Sequence, residues 1–551
     1  MENLIEIPIL IAGGGPVGLA LALDLDHMCT QSLVVEQDAG TALVMLAKAG
    51  THSERTLEFC RRWGLVDQIA GNFPEDLPRD TVYCTTLGGK LIGRSAVSSA
   101  RKREVPLTSP EMMRRCAQNQ FDPILADAVL ASSHARLRYN CHFESFTQDD
   151  TGVTSILTDL LSGNRLTVRS QYLVACDGAG SKIRQSLDIP FDLIQQMDYS
   201  LSAMLRIKNI ERFHSFGACE RFMFIDSKGT WANMTSVDGK DLWRFTVVGS
   251  ETALDPATYD ISSVVERALG GSGATYSIER LVPWRRAQTL ARTYSRGRVL
   301  LAGDSAHTTS PTGGHGLGTG IGDITDVSWI LNALTEGWGG PQLLEAYTRE
   351  RRPVAVRNLG NSTQNYHAWV AGGMDNVTRE GPEGDTARRN IGSAMAVALH
   401  QEWFSQGIAL GYNYSESPIV VGDGTTPPQD HPSFYVPTAR PGHRAPHAWL
   451  NDGRSTLDLF GKGFVLLCFD DCADQLQPFH RAALETGLPL KAAYVDQPEI
   501  ASLYERRLVL VRPDGQVAWR GDTPPADVVD LFNIVRGAST KTKLGINASE
   551  Q

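Results

Sequence analysis

Three short stretches carry residues whose types and spacing could do chemistry. The first is Gly13-Gly14-Gly15-Pro16-Val17-Gly18, a G-x-G-x-x-G run. Between a strand and a helix such a run cradles a dinucleotide. The first glycine permits a tight turn, the second lets backbone N–H groups approach a pyrophosphate, and the third lets the helix pack on the sheet. Pro16 and Val17 would open that helix, whose N-terminus supplies partial positive charge for phosphates. Glu36, eighteen residues beyond Gly18, stands where an acid accepts hydrogen bonds from a ribose diol. The second stretch is Asp177-Gly178-Ala179-Gly180-Ser181-Lys182-Ile183-Arg184. The third runs from Gly303-Asp304 through His307 and Pro311 to Gly313, Gly314, Gly316 and Leu317. Strand-to-helix connections usually take roughly two to six residues. This one is longer and stripped of side chains, as if the backbone must lie against something.

These motifs need elements to hold them. Ile7 to Ala12 is a short apolar run, the mark of a buried strand. Residues 16–26 read as a helix and Leu33 to Glu36 as a second strand, completing a βαβ unit. Helical regions follow around 51–70 and 111–134. Residues 136–176 read as a β-meander, with a turn at Ser162-Gly163-Asn164 and a final strand from Tyr172 to Cys176. From about 190 to 290 the chain is β-rich, and from 320 to 410 mostly helical. Residues 415–447 are rich in proline, the profile of a linker wrapping a surface. The last hundred residues begin afresh, with strands in 462–470 and 491–496, a hairpin around Pro513-Asp514-Gly515 and a closing helix.

The glycines at 270–273 do not follow a strand, so the sequence offers one dinucleotide fingerprint. The three motifs, in this order and with "WRRAQTLARTYSRGRVLLAGDSAH" around the third, resemble the group A flavin monooxygenases, the para-hydroxybenzoate hydroxylase-like family, over residues 5 to about 400. The C-terminal segment resembles the thioredoxin-like domain of that family's phenol hydroxylase branch. The resemblance implies an α/β fold: a Rossmann-like FAD-binding domain, an interleaved β-sheet substrate domain and a C-terminal thioredoxin-like domain. It divides the chain into FAD-binding 1–185 with the inserted meander, substrate-binding 186–290, FAD-binding 291–414, linker 415–447 and thioredoxin-like 448–551.

The resemblance also assigns roles. Gly13, Gly15, Pro16, Val17, Gly18 and Glu36 would hold FAD, Asp177 would lie near its pyrophosphate and the NADPH path, and Asp304 would hold the ribitol. Pro311, Gly314, Gly316 and Leu317 would turn past the flavin ring. Lys48 and Gln118 match positions that touch FAD in relatives, with a solvated surface residue as the alternative reading of each. His307 reads as a structural histidine. Gly318 stands where relatives usually carry asparagine, and Thr319 is the residue that could replace that contact. NADPH, or NADH, would act as a transient reductant, and O₂ would react through a C4a-hydroperoxyflavin. An aromatic substrate, phenolic or polyketide-derived, would be hydroxylated. Epoxidation or Baeyer–Villiger insertion is the alternative chemistry, and a non-catalytic FAD-fold binding protein the alternative class.

No motif fixes a catalytic base. His52, beside the segment that approaches FAD, is the candidate, against the plainer reading of a cavity-lining histidine. Tyr199, Arg206, His214 and Arg244 lie in the substrate region, and Phe222, Phe224 and Trp231 could line a pocket or pack a core.

The whole chain bounds these readings. It has 551 residues, 42% hydrophobic and 21% charged, with a formal net charge of −10. That is globular composition, and it gives no electrostatic reason to expect nucleic acid. No run of apolar residues is long enough to span a membrane. The nine cysteines include no C-x-x-C, so a reduced cytoplasmic chain without a metal site is expected. Cys468 and Cys472 are one residue too far apart for redox exchange of that kind. A packing or dimer-edge role for the C-terminal segment is the default, which leaves a homodimer open.

Overall fold

The computed structural model describes residues 3–41, 50–469 and 472–539. Its first sheet is built on the strand Asn3–Ala12, which starts earlier than its apolar run because it pairs in parallel with Arg165–Ala175 along its whole length. On its other side lies Ser32–Val35, then Ala135–Arg138. Beyond Arg165–Ala175 lies Val299–Leu301. The register decides what the sheet can do. Ala12 pairs with Val35 and Ala175, and Ala175 pairs with Leu301. The four chains therefore leave the sheet side by side at its carboxyl edge, where open α/β sheets bind ligands. The helices Pro16–His27 and His315–Thr335 pack together on this sheet. The meander, Cys141–Gln148 and Val153–Asp159, extends it antiparallel from Arg165–Ala175.

The second sheet has eight strands, and its central, longest pair is Phe191–Arg206 with Ser277–Ala291. It is not confined to 186–290. Thr81–Cys84 and Leu91–Ser95 join one edge and His307–Thr308 the other. One face packs an apolar core with the helix Ile261–Leu269, and Phe222, Phe224 and Phe245 lie in that core. Trp231 packs against it, and Arg267 stacks on Trp231. The three aromatics read as candidate pocket lining are therefore packing residues.

The spans 51–70 and 111–134 are only partly helical. Thr51–His52 and Arg114–Arg115 form a two-stranded ribbon, and the helices are Glu54–Arg62, Val66–Ala70 and Gln118–Ala131.

The C-terminal unit is a four-stranded sheet, Phe464–Phe469 pairing parallel with Leu490–Val495 and antiparallel with Leu508–Val511, which pairs with Val517–Gly521. Cys468 and Cys472 are brought together at one buried place, with Cα atoms 6.2 Å apart, and the other described cysteines are free. The proline-rich segment is no loose tether. It drives Arg444 into the interior, where its guanidinium meets both oxygens of Glu58. The hairpin sends Arg512 onto both oxygens of Glu350, at 2.6 and 2.9 Å. Among the described residues, no helix is long and apolar enough to cross a membrane, and no cluster could hold a metal ion.

Candidate active site

The glycine fingerprint sorts itself by what a side chain would meet. A Cβ on Gly13, which has φ +110°, would lie 2.3 Å from the Cys176 carbonyl oxygen, and one on Gly18 would lie 2.1 Å from that of Gly13. Both glycines are forced by packing of the turn. Gly15 is different: a Cβ there would meet nothing within 4 Å. The turn thus holds one glycine open toward space, which fits a pyrophosphate at the start of the helix Pro16–His27. That helix has no side-chain cap, so its first N–H groups are unmet. Pro16 sits at its first turn, where a missing N–H costs nothing, and Val17 packs against Gly303 and Gly320.

Glu36 leaves the neighbouring strand. Its carboxylate accepts from the Gly14 N–H at 2.7 Å and the Asp38 N–H at 3.0 Å. A carboxylate has about four lone-pair positions, so capacity for a diol is left. Asp177 follows the third strand. One of its oxygens accepts from the Ile183 N–H, and the other is buried without a partner. Burial pushes its carboxyl above the usual carboxylate range. A buried acceptor without a donor is costly, and a ligand hydroxyl or amide at this place would satisfy it. Arg184 stacks 3.8 Å from the Phe191 ring and donates to the Ile189 carbonyl.

Asp304 is exposed, one residue past the positive-φ Gly303. Pro311 is exposed too, and Gly314, at φ +68°, opens the helix His315–Thr335 without a side-chain cap. The first N–H groups of a 21-residue helix, at Gly316, Leu317 and Gly318, are thus presented to the loop. Such an edge suits the electron-rich end of a reduced flavin. Thr319 does not replace the missing asparagine: its hydroxyl donates to the His315 carbonyl and accepts from Asn358, facing away into the next helix. Gln118, at the N-terminus of its helix, donates to Asp122 at 3.1 Å. Lys48 lies outside the described residues.

Beneath the loop is a polar core that local sequence reading missed. His307 meets Asp323 at 2.7 Å, Asp323 also accepts from the Gly303 N–H at 3.0 Å, and Arg351 donates to its second oxygen at 2.9 Å. Burial alone would raise the Asp323 carboxyl, but His307 and Arg351 outweigh it and hold it low. His307 is thus a structural anchor for the strand end that presents Asp304. Arg286 does the same from the second sheet, pairing with Asp198 and donating to Ser310 beside Pro311. The signal for the first network was legible: Asp323 and Asp326 interrupt an otherwise apolar helix.

His52 is 1% exposed. Its Nε2 lies 2.8 Å from the Cys116 carbonyl, so Nε2 carries the proton and donates, and the ring packs 4.2 Å from Phe121. Burial, aided by Arg115 and Arg79, lowers its pKa to about 4. The imidazole is neutral, with Nδ1 buried and unpartnered. These contacts fit a structural histidine better than a solvent-linked base. Among the polar candidates, Arg244 and Arg206 lie opposite the apolar core, because their neighbours Trp243 and Phe245, and Leu205 and Ile207, belong to that core; Arg206 pairs with Glu279. Burial, with Arg115, Arg221 and Arg286 nearby, depresses the Arg244 pKa to about 10. Ser202, Thr246 and Trp284 share its face, joined by hydrogen bonds of 2.9 Å. His214 instead stacks on Phe216 and meets Phe222 edge-on.

The chain with these motifs at one sheet edge matches known proteins along most of its length. Residues 6–362 match the FAD binding domain family, and residues 438–537 match the aromatic-ring hydroxylase C-terminal family. The chain belongs to the FAD-dependent aromatic-ring hydroxylases. The structure of RebC with bound 7-carboxy-K252c is 38% identical, with a TM-score of 0.90, covering 97% of this chain and 100% of that one. A tetracenomycin B2 monooxygenase-dioxygenase of Streptomyces olivaceus is 30% identical over 95% of this chain and 96% of its own. A phenol 2-monooxygenase of a Pseudomonas strain is 28% identical over 98% and 94%. The protein is therefore an FAD-dependent monooxygenase acting on aromatic substrates. Bound FAD supplies redox chemistry and dioxygen activation that side chains cannot. The residues placed along that sheet edge, Gly15, Glu36, Asp177, Asp304 and Gly316, are the ones that would hold it.

Proposed function

We propose that this hydroxylase uses NADPH to reduce FAD and places one oxygen atom of O₂ on a phenolic, polycyclic aromatic substrate of the polyketide-like class. The observation that carries the reading is the facing of two surfaces. The carboxyl edge of the first sheet presents the cofactor motifs, and the second sheet turns its Arg244, Ser202 and Trp284 face away from its own apolar core. A cation held there at the cost of burial favours an anionic group, a phenolate or an aromatic carboxylate. An electron-rich phenolate is also the better partner for oxygen transfer. The relatives named for tetracenomycin B2 and for 7-carboxy-K252c bind or act on large aromatics, which supports the substrate class. His52 enters as the candidate base only if its Nδ1 gains access to substrate.

The test is to purify the protein, record its flavin spectrum, and follow NADPH oxidation and O₂ uptake against a panel of phenolic and carboxylated polycyclic aromatics. Products carrying one atom from labelled O₂ on an aromatic carbon support the reading. Oxygen inserted beside a ketone, or across an alkene, with no turnover of phenols, overturns hydroxylation in favour of Baeyer–Villiger insertion or epoxidation.

A further inference from the structure

The polar core under the flavin loop does not end within the FAD-binding unit. Arg351 holds Asp323, and Asp323 accepts from the N–H of Gly303, the residue before Asp304. The same guanidinium donates at 2.9 Å to the Thr319 carbonyl, in the first turns of the helix His315–Thr335. Gly322 makes room for it, since a Cβ there would lie 2.5 Å from the Arg351 Nη2. The remaining nitrogen, Nη1, donates at 2.8 Å to the hydroxyl of Tyr414. Burial pushes the Tyr414 pKa well above the ordinary phenol value, so this hydroxyl is neutral. Each nitrogen of Arg351 thus has a partner, two of them on the helix that presents the flavin loop and one outside it.

Tyr414 is fixed by the C-terminal hairpin. Its N–H donates to the Gly442 carbonyl, the Gly442 N–H to the Val517 carbonyl, and the Val421 N–H to the Ala518 carbonyl, at 2.7, 2.7 and 2.9 Å. Gly442, at φ +86°, lets the two segments meet, since a Cβ there would lie 2.6 Å from the Ser415 nitrogen. The hairpin residue Arg512 lies 5.4 Å over the Tyr414 ring and 5.0 Å over that of Trp329, which belongs to the flavin-loop helix. Its guanidinium also grips Glu350, the neighbour of Arg351. Two buried routes therefore run from the hairpin to the loop helix. A buried network of this kind fixes geometry, because leaving one of its donors unmet is costly. We propose that Tyr414 and Arg512 are positioning residues for FAD: through Arg351 and Asp323, the C-terminal hairpin sets where the N–H groups of Gly316 and Leu317 and the carboxylate of Asp304 meet the cofactor. The C-terminal unit of this hydroxylase thereby tunes how firmly the flavin is kept and how readily it is reduced.

The experiment uses the FAD-loaded full chain, with Tyr414→Phe, Arg512→Lys and, as a reference, Tyr504→Phe. Tyr504 also buries its hydroxyl in the C-terminal unit, but donates within that unit, to the Pro446 carbonyl at 2.7 Å. Three quantities are read: the unfolding midpoint, the rate of FAD release on dilution, followed as returning flavin fluorescence, and the reduction potential of the bound flavin against indicator dyes. Tyr414→Phe removes a hydroxyl and no charge, and strands one Arg351 N–H. FAD release is expected to quicken by roughly 3–30-fold, the scale of one weakened hydrogen bond. The potential is expected to move negative, since displaced N–H groups stabilise reduced flavin less. Arg512→Lys keeps the charge, loses the two-pronged grip on Glu350 and is expected to shift both readouts in the same direction. Tyr504→Phe is expected to lower the midpoint and to leave both flavin readouts at wild-type values. Wild-type release and potential in either Tyr414→Phe or Arg512→Lys overturns the proposal. So does an equal shift in Tyr504→Phe, which would assign the effect to general loosening of the C-terminal unit. If Tyr414→Phe yields no folded holoenzyme, Arg512→Lys decides on the same two readouts.

Discussion

Two arginine-rich regions lie close to the cofactor motifs, and they are built in opposite ways. Under the flavin loop, Arg351 and Arg512 each meet carboxylates, Asp323 for one and Glu350 with Asp514 for the other. Arg351 also donates to the Tyr414 hydroxyl and the Thr319 carbonyl. Around the ribbon Thr51–His52 with Arg114–Arg115, Arg79 and Arg115 share Glu220, Arg114 meets Glu75 and Arg103 donates to the Met113 carbonyl, while Nη1 of Arg79 and Nε of Arg103 and Arg114 are buried without a partner. A buried network in which each guanidinium meets its own carboxylate stabilises a particular backbone arrangement, and one in which several guanidinium groups share a carboxylate carries uncompensated positive charge.

The contrast makes graded predictions. The largest effect belongs to the completed network. Asp323→Ala leaves Arg351 and His307 buried without their carboxylate and frees the Gly303 N–H, so stability should fall by about 3–5 kcal/mol, read as a lowered denaturant midpoint. A fall below about 1 kcal/mol would mean the network is solvated and the contrast is false. Next is acid. His52, His443 and His447 are buried with pKa values lowered to about 4, chiefly by burial. Their unfolded forms bind protons near pH 6.5 and their folded forms do not. Stability from these groups is therefore complete above that pH and is lost as pH falls toward 4, on the order of 3 kcal/mol each at the acid end. Thermal scans from pH 7 to 4.5 should show Tm falling steadily, and His52→Phe should make the decline shallower. At neutral pH, His52→Phe should itself cost about 1–3 kcal/mol by stranding the Cys116 carbonyl. If it instead removes substrate turnover while Tm holds, His52 is chemical rather than structural. The smallest effect belongs to the arginines around the ribbon. Arg103→Met should leave the unfolding free energy within about 0.5 kcal/mol of wild type, because a cation lying between Arg79 and Arg114 is removed. A large loss of stability would make these arginines a second completed network.

Much of this was legible in the sequence, and the boundary is physical. The Rossmann unit was, since the helix begins at Pro16 and the strands are short apolar runs with glycine between them. So was the meander, because its turn is local. The ribbon Thr51–His52 with Arg114–Arg115 was not: its two halves are far apart in sequence, and each sits in a stretch with helical periodicity. The joining of Thr81–Cys84 to the second sheet escaped for the same reason. Motif residues that bind through backbone, such as Gly15 and Gly316, announce themselves because glycine has few other reasons to recur at those spacings. Arg79, Arg103 and Arg115 announce nothing, since surface arginines are common and only tertiary packing gathers them around one ribbon. Phe222 and Phe224 show the converse. Aromatics in a substrate region invite a pocket reading, and strand alternation sent them to the far face.

The buried pairs Glu58–Arg444 and Glu350–Arg512 bear on modularity. Family boundaries end one unit at 362 and begin the next at 438, and that division suggests interchangeable parts. Yet each of these ion pairs has its acid in the first unit and its arginine in the second. A chimera that exchanged only the C-terminal unit with a relative lacking these arginines would leave Glu350 without its cation and Glu58 with Arg55 in place of two. Recombination among these hydroxylases is thus constrained to carry acid and arginine together, and the C-terminal unit is inherited as part of one body.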